Sequence, residues 1–181
     1  MIKALFGLGN PGENFYKNYH NIGRRILEEI SKDWKNLKYS SFSNYNGIIL
    51  AKSLVFMNDS GLALKEILKN FNLKNDEICL VHDDNDIPFG FLKISFSKKS
   101  AGHKGVESVF RELKTKNIWR IRIGIQFKKR KKAEDFILKN LNKNHEKIFN
   151  QKIKKNFINI IKLLKEKEIS KLNLQKNFLI N

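Results

Sequence analysis

Nine consecutive residues, Trp119 to Phe127, alternate with period two. Trp119, Ile121, Ile123, Ile125 and Phe127 are apolar, with Arg120, Arg122, Gly124 and Gln126 between them. Successive side chains of a strand point to opposite faces, so the pattern predicts a strand with both arginines on one face, opposite the apolar side. Ile2 to Leu8 and Glu77 to His82 read as buried strands. The first ends in Gly7-Leu8-Gly9-Asn10-Pro11-Gly12, and the second runs into the acidic turn Asp83-Asp84-Asn85-Asp86. Phe91 to Ser97 reads as a further strand, and Tyr45 to Phe56 as one or two, with an irregularity at Gly47.

Helical spacing appears elsewhere. Ile22, Ile26, Leu27, Ile30 and Trp34 share a face over 21–34. Ser60 is the expected N-cap of a helix that buries Leu64, Ile67, Leu68 and Phe71. Val106, Val109, Phe110 and Leu113 predict a helix from Gly105 to Lys114, entered through Ser100-Ala101-Gly102-His103-Lys104-Gly105. Ala133 to Leu141 and His145 to Lys165 read as helices, and no element is assigned to 167–181. Strands alternating with helices, without linker or repeat, predict one α/β domain spanning 1–181, with a twisted mixed, largely parallel sheet flanked by helices.

Composition narrows the class. The chain has 181 residues, 41% of them hydrophobic and 11% aromatic, which excludes a disordered basic tail and a low-complexity protein. The one cysteine, Cys79, lies in an apolar run, cannot form an internal bridge, and fits burial in a reducing compartment. No apolar run approaches the ~18–20 residues of a membrane span, and the N-terminus reaches Gly7 too soon for a signal h-region. The expected location is the cytoplasm. The formal charge is +18, from 36 Lys and Arg against 18 Asp and Glu. Such a surplus is the footprint of a nucleic-acid or acidic-membrane partner. The excess of Lys (30), Asn (22) and Ile (22) is equally what an AT-rich genome gives any protein. Position sharpens the choice: residues 1–127 carry 20 basic and 13 acidic groups, whereas 128–181 carry 16 and 5, including the unbroken run Lys128-Lys129-Arg130-Lys131-Lys132.

Four groups of residues could do chemistry. Gly7-Leu8-Gly9-Asn10-Pro11-Gly12 matches the G-x-G-x-x-G dinucleotide fingerprint, but Pro11 biases Asn10 away from helical geometry, and no helix opens there to face a pyrophosphate. The segment reads better as a rigid loop that points Asn10 into a cleft. Asn10, Asn58, His82 and Asp83 stand at the predicted carboxyl ends of strands, where open α/β sheets bind ligands, with His20 on an adjoining loop. A His–Asp pair with no serine or cysteine nucleophile suits activation of water. The rival reading is a metal site drawn from His82, Asp83, Asp84, Asp86 and His103, although the usual zinc and calcium spacings are missing. Asp84 and Asp86 also fit an exposed turn before Pro88 and Gly90. The glycine-flanked His103-Lys104, opening a helix, suits an anion.

Several motifs then line up in order. Besides the first glycine loop they are Tyr19-His20-Asn21-Ile22-Gly23, Phe56-Met57-Asn58-Asp59-Ser60-Gly61, His82-Asp83-Asp84-Asn85-Asp86-Ile87-Pro88, Gly102-His103-Lys104-Gly105 and Arg120-Ile121-Arg122-Ile123-Gly124-Ile125. Together they resemble the bacterial peptidyl-tRNA hydrolase family along essentially the whole chain. The resemblance implies a monomeric enzyme, without metal or other cofactor, that cleaves the ester between a peptide and tRNA. It also implies C-terminal helices, from about 132 to 181, beside the active-site cleft. Its catalytic histidine matches His20 and the paired carboxylate Asp83. Asn10 and Asn58 match substrate-positioning asparagines, Tyr16 or Tyr19 would line the cleft, and His103 and Lys104 would meet the substrate. A pair of basic residues that clamps a tRNA phosphate matches Arg122 and, nearby, Lys93, with Arg120 alongside; the second position falls near Lys93 and Ser95.

The chain departs from the family pattern at four places. Lys104 stands for asparagine, Tyr19 for the arginine before the catalytic histidine, Leu54 and Val55 for Pro and Thr, and Gln126-Phe127 for a glycine-containing strand end. An asparagine side chain donates and accepts hydrogen bonds, whereas lysine only donates. Two alternatives to the esterase reading stay open from the residues themselves, an RNA-binding module without catalysis and a metallohydrolase.

Overall fold

Ala4–Gly7 (β1) is buried at all four positions, as a strand covered on both faces must be. It lies at the middle of a seven-stranded sheet in a computed structural model that describes residues 1–166. The other strands are Lys35–Asn36 (β2), Ser40–Tyr45 (β3), Ile48–Ser53 (β4), Ile78–Pro88 (β5), Leu92–Phe96 (β6) and Trp119–Gln126 (β7). Their order is β2-β3-β4-β1-β5-β7-β6. The centre, β4-β1-β5-β7, is parallel, while β2, β3 and β6 pair antiparallel at the two margins.

Period two sorts the core into two halves. Leu5, Cys79, Val81, Ile121, Ile123 and Ile125 face helices Ile22–Ile30 (α1), Lys143–Ile148 (α4) and Lys154–Glu166 (α5). Phe6, Leu80 and Ile118 face Ser60–Asn70 (α2) and Lys104–Leu113 (α3) through Leu64, Ile67, Val106 and Val109. The single α/β domain with a mixed sheet is therefore as expected, and Cys79 is fully buried, with burial pushing its thiol pKa up. Among the described residues no helix is long and apolar enough to cross a membrane.

Local structure corrects several expectations. The stretch read as one or two strands from Tyr45 is the end of a hairpin, with Asn46 and Gly47 both at positive φ (51° and 83°) in its two-residue turn. Its first strand, β3, escaped notice because Ser40-Ser41-Phe42-Ser43-Asn44 carries no apolar alternation. The helix expected over 21–34 stops at Ile30, and Trp34 turns back to donate its Nε1 hydrogen to the Ser31 carbonyl. Ser60 is the first helical residue, not the cap; its hydroxyl donates to the Met57 carbonyl. β5 continues through the residues read as an acidic turn.

The largest correction is Ala133 to Leu141. Only Ala133–Asp135 forms a helical turn, of the 3-10 kind, because the backbone beyond it pairs with residues 17–20. The single helix expected over 145–165 is α4 and α5 joined by the π-helical Phe149–Ile153, and it starts earlier, capped by Asn142. The last part of the expected C-terminal helical region, 167–181, lies outside the described residues.

Candidate active site

His20 sits in a 3-10 turn, Tyr19–Asn21, just before α1, and Asp83 on β5. Gly23 brings these elements together. A Cβ there would lie 2.1 Å from the Val81 carbonyl oxygen, so only glycine lets the first turn of α1 rest directly on β5. The result is a buried pair in which His20 Nδ1 lies 3.0 Å from both oxygens of Asp83. His103 completes a trio, its Nε2 3.0 Å from Asp83 Oδ1. As the N-cap of α3, His103 also accepts the Val106 amide hydrogen at Nδ1, 3.4 Å away. An ionised carboxylate only accepts, so both histidines donate to Asp83. His20 is then protonated at Nδ1, and the lone pair of its Nε2 remains for chemistry.

Electrostatics support this assignment. Burial alone would raise the Asp83 pKa, but the neighbouring His20 and His103 outweigh it and hold the carboxyl well below its usual range. Burial pushes the His20 pKa down, yet the charge and hydrogen bond of Asp83 prevail and the net shift is upward. His82, on the same strand, shows the opposite outcome. Buried and crowded by His103, it is held well below the usual imidazole range, with Nδ1 2.7 Å from the Asp83 carbonyl and Nε2 without a partner.

The trio opens into a cavity of about 280 Å³ whose walls include Asn85, Gly102, Lys104, Arg130 and Ile137. The residues bordering it on the C-terminal side are Arg130, Ala133 and Ile137, which precede α4. Lys104 also borders a second hollow of about 430 Å³, shared with Asn58, Asp59, Glu107 and Arg111. Lys104 thus stands between the histidine cavity and exposed Asn58, its ammonium 3.3 Å from Glu107. Asn10 is placed differently. Its side-chain carbonyl accepts the Met57 amide hydrogen at 2.8 Å, and its backbone exchanges two bonds with the Asn21 side chain. It ties the first loop to the His20 turn and to the segment before Asn58.

Tyr16 and Tyr19 do not line the histidine cavity. Tyr16 lies in a separate hollow with Arg24 and Glu28, donates to Glu29 at 3.3 Å, and is pushed up to about 12 by burial and by that carboxylate. Tyr19 is buried in an aromatic cluster. The five residues of the rival metal reading do not all converge. His82 and His103 are not joined by the other carboxylates: Asp84 is buried against Arg122 at 2.8 Å, and exposed Asp86 pairs with Arg130 at 2.7 Å. Ligand atoms of His20, Asp83 and His103 do converge within 4.8 Å, at spacings that their shared hydrogen bonds explain.

The arginine face of β7 is also different from expectation. Arg122 stands opposite Lys93 in the β6–β7 ladder, and Arg120 opposite Ser95. Arg120 is 1% exposed, donates to the Lys99 carbonyl, and is pushed down to about 10 by burial and by Arg122. With Phe110 of α3 against its guanidinium as well, it is no surface phosphate ligand here. Arg120 Nε, Arg122 Nε and Ser95 Oγ are all buried without partners. Arg130, a cation on the cavity wall, belongs to the basic run, and nothing in its local sequence separates it from its neighbours.

A family model described as peptidyl-tRNA hydrolase matches residues 4–178. The peptidyl-tRNA hydrolase of Aquifex aeolicus (strain VF5) is 34% identical over 164 residues, 85% of this chain and 85% of that protein. That of Persephonella marina (strain DSM 14350 / EX-H1) is 37% identical over 162 residues, 84% and 85% of the two chains. The crystal structure of peptidyl-tRNA hydrolase from Acinetobacter baumannii shares the fold, with a TM-score of 0.79 at 24% identity, over 90% of this chain and 88% of that one. With the match running from β1 past α5 and two relatives alike over most of their length, this chain belongs to the peptidyl-tRNA hydrolase family.

Proposed function

We propose that this chain hydrolyses the ester joining a peptide, or an N-blocked amino acid, to tRNA, with His20 as general base. The observation that carries the reading is the hydrogen bonding of His20 Nδ1 to both oxygens of buried Asp83. That bond selects the tautomer whose Nε2 can take a proton from water as the water attacks the ester carbonyl. Asp83 stabilises the imidazolium, which gives the proton to the departing ribose oxygen of the tRNA as the ester C–O bond breaks, and His103 keeps Asp83 oriented. A positioned base of this kind contributes ~10²–10⁴-fold. Cys79 is buried and its thiol pKa raised, so it offers no competing nucleophile.

The other roles are those that the family resemblance implies, and the placement of the residues supports them. Asn58 and Lys104 receive the peptide along the second hollow, and Asn10 holds the loop that frames it. Lys93 and Arg122 bind a phosphate of the tRNA acceptor stem, where buried Nε of Arg122 and Oγ of Ser95 lack partners. The enzyme works as a cytoplasmic monomer, without metal or other cofactor and without a membrane or obligate protein partner, and it returns free tRNA to translation.

Cleavage of N-acetyl-aminoacyl-tRNA by wild type and His20→Ala, with and without chelator, tests the reading. Turnover should fall about a thousandfold in His20→Ala, the middle of the range for a general base, with tRNA binding retained. Chelator should change nothing. Activity that survives His20→Ala removes the base assignment, and activity lost to chelator and regained with metal would favour the converging His20, Asp83 and His103 as metal ligands.

A further inference from the structure

His20 is gripped on one side by Asp83, and its neighbour Tyr19 packs into a different region. The Tyr19 ring meets Phe89, Phe136 and His145 edge to face, with centroids 6.1, 5.1 and 5.6 Å away. Its hydroxyl lies 2.8 Å from Nδ1 of His145, wholly buried and 126 residues distant in sequence. Burial raises the Tyr19 pKa and lowers that of His145, so a protonated phenol donates to a neutral imidazole. The same hydroxyl receives a longer bond, 3.4 Å, from the Asn142 amide, and Asn142 also caps α4.

The imidazole of His145 has a second contact. It stacks flat on Phe89, centroids 3.9 Å apart and planes 6° from parallel. Phe89 directly follows β5, the strand that carries Asp83. His145 therefore touches the turn that carries His20 and the residue that follows β5, the strand of Asp83. The backbone reinforces the link. Tyr19 N–H donates to the Lys139 carbonyl, His20 N–H to that of Ile137, and Leu141 N–H to that of Lys17, around an antiparallel bridge between Asn18 and Asn140. The turn bearing His20 is thus stitched to the chain that leads into α4.

We propose that Tyr19 and His145 are positioning residues for the reaction, their buried hydrogen bond locking the His20 turn against the β5 end so that His20 stays in register with Asp83. The inference rests on His20 being the base. A displacement of about 1 Å at a reacting group can cost ~10²-fold, so a device that removes even part of that freedom has a kinetic signature. Tyr19 stands where the family resemblance leads one to expect arginine, and a tyrosine there supplies a neutral, buried lock.

Steady-state hydrolysis of N-acetyl-aminoacyl-tRNA by Tyr19→Phe, His145→Phe and the double variant tests this. Both single changes keep an aromatic ring in the cluster, and thermal melts establish that each variant is folded at the assay temperature. Each single variant should lose about tenfold in kcat, with KM within about twofold, since loss of the bond loosens the reacting geometry, where a displacement of about 1 Å can cost ~10²-fold. The double variant should be no slower than the slower single, because both changes remove the same bond. His145→Gln, whose side-chain carbonyl can accept from the phenol, should recover part of the loss seen in His145→Phe. A folded Tyr19→Phe with wild-type kcat overturns the proposal, as does a loss confined to KM. Recovery of full kcat in the double variant also overturns it, since the single losses would then reflect orphaned polar atoms. If wild-type turnover proves independent of His20, the base assignment and the positioning role fall together; if turnover needs His20 but not Tyr19, only the positioning role falls.

Discussion

Two polar regions lie on neighbouring strands and balance their hydrogen bonds in opposite ways. Around Asp83 the donors and the acceptor match: two histidines converge on one carboxylate, all inside the protein. On the β6–β7 face the donors exceed the acceptors. Lys93, Arg120 and Arg122 share that face, Asp84 serves Arg122 alone, and two guanidinium Nε–H groups are buried without partners. An unmet buried donor costs about 1–3 kcal/mol, and of the two only that of Arg122, opposite Lys93, lies where an arriving anion can relieve it, since Arg120 is 1% exposed. The contrast matches the proposed division of labour: the self-satisfied region carries the proposed base, and the region with surplus donors carries the proposed phosphate contact.

The sharpest way to break this contrast is Asp83→Asn, which removes the acceptor that balances the first region. It should lower kcat/KM by about 10²–10⁴-fold, because an amide can hold His20 in the wrong tautomer and cannot stabilise its charge. The pH profile carries an independent sign. In the wild type the His20 pKa is raised, so a base that must be neutral becomes active only as pH climbs through a value above the ordinary one. With Asp83 gone, burial alone remains and pushes the His20 pKa down, so the acidic limb of the residual kcat/KM profile should move to lower pH. An unmoved limb would mean that Asp83 does not govern His20.

How much of this contrast the sequence announces differs between the regions. His20 and Asp83 are legible because the pattern puts one on a loop and the other at a predicted strand end, although β5 in fact runs on past Asp83 to Pro88. The close approach at Gly23 that joins them shows only in the fold. The alternation in β7 places Arg120 and Arg122 on one face but is silent about what meets that face, since Lys99 and Phe110 reach Arg120 from elsewhere in the chain. Tyr16 lies four residues from His20, yet chain proximity says nothing about which hollow a side chain enters. The segment 136–141 is the clearest failure. Phe136, Ile137 and Leu141 are spaced as in a helix, but their backbone groups find partners in residues 17–20, and tertiary pairing overrides local propensity.

The second region can be probed without disturbing the first through Lys93→Gln, since Lys93 is half-buried at a strand margin facing Arg122. KM for acyl-tRNA should rise about fivefold with kcat unchanged, and the salt slope of tRNA binding should fall by ~0.7–0.9, the share of one neutralised phosphate. An equal loss in kcat and kcat/KM would place Lys93 in the transition state instead, and an unchanged slope would remove it from the phosphate contact.

The smallest effect is expected from the densest charge. Lys128 and Lys129 are exposed on the basic run, with Arg130 beside them already paired to Asp86. Charges this accessible act over roughly one Debye length, ~8 Å at physiological salt, and concentrate tRNA near the protein without fixing its register. Lys128→Gln with Lys129→Gln should therefore change kcat/KM by less than about twofold at 0.15 M salt and by more as salt is lowered. The wild-type salt slope decides how far this extends to the +18 as a whole. A slope of about two or three would correspond to roughly three phosphates, few enough for the Lys93–Arg122 face and its surroundings to account for, and would leave most of the lysines as unspecific attraction. A slope nearer ten, or a large loss in the double lysine variant at physiological salt, would instead make the run after β7 part of the binding site and erase its difference from the clamp.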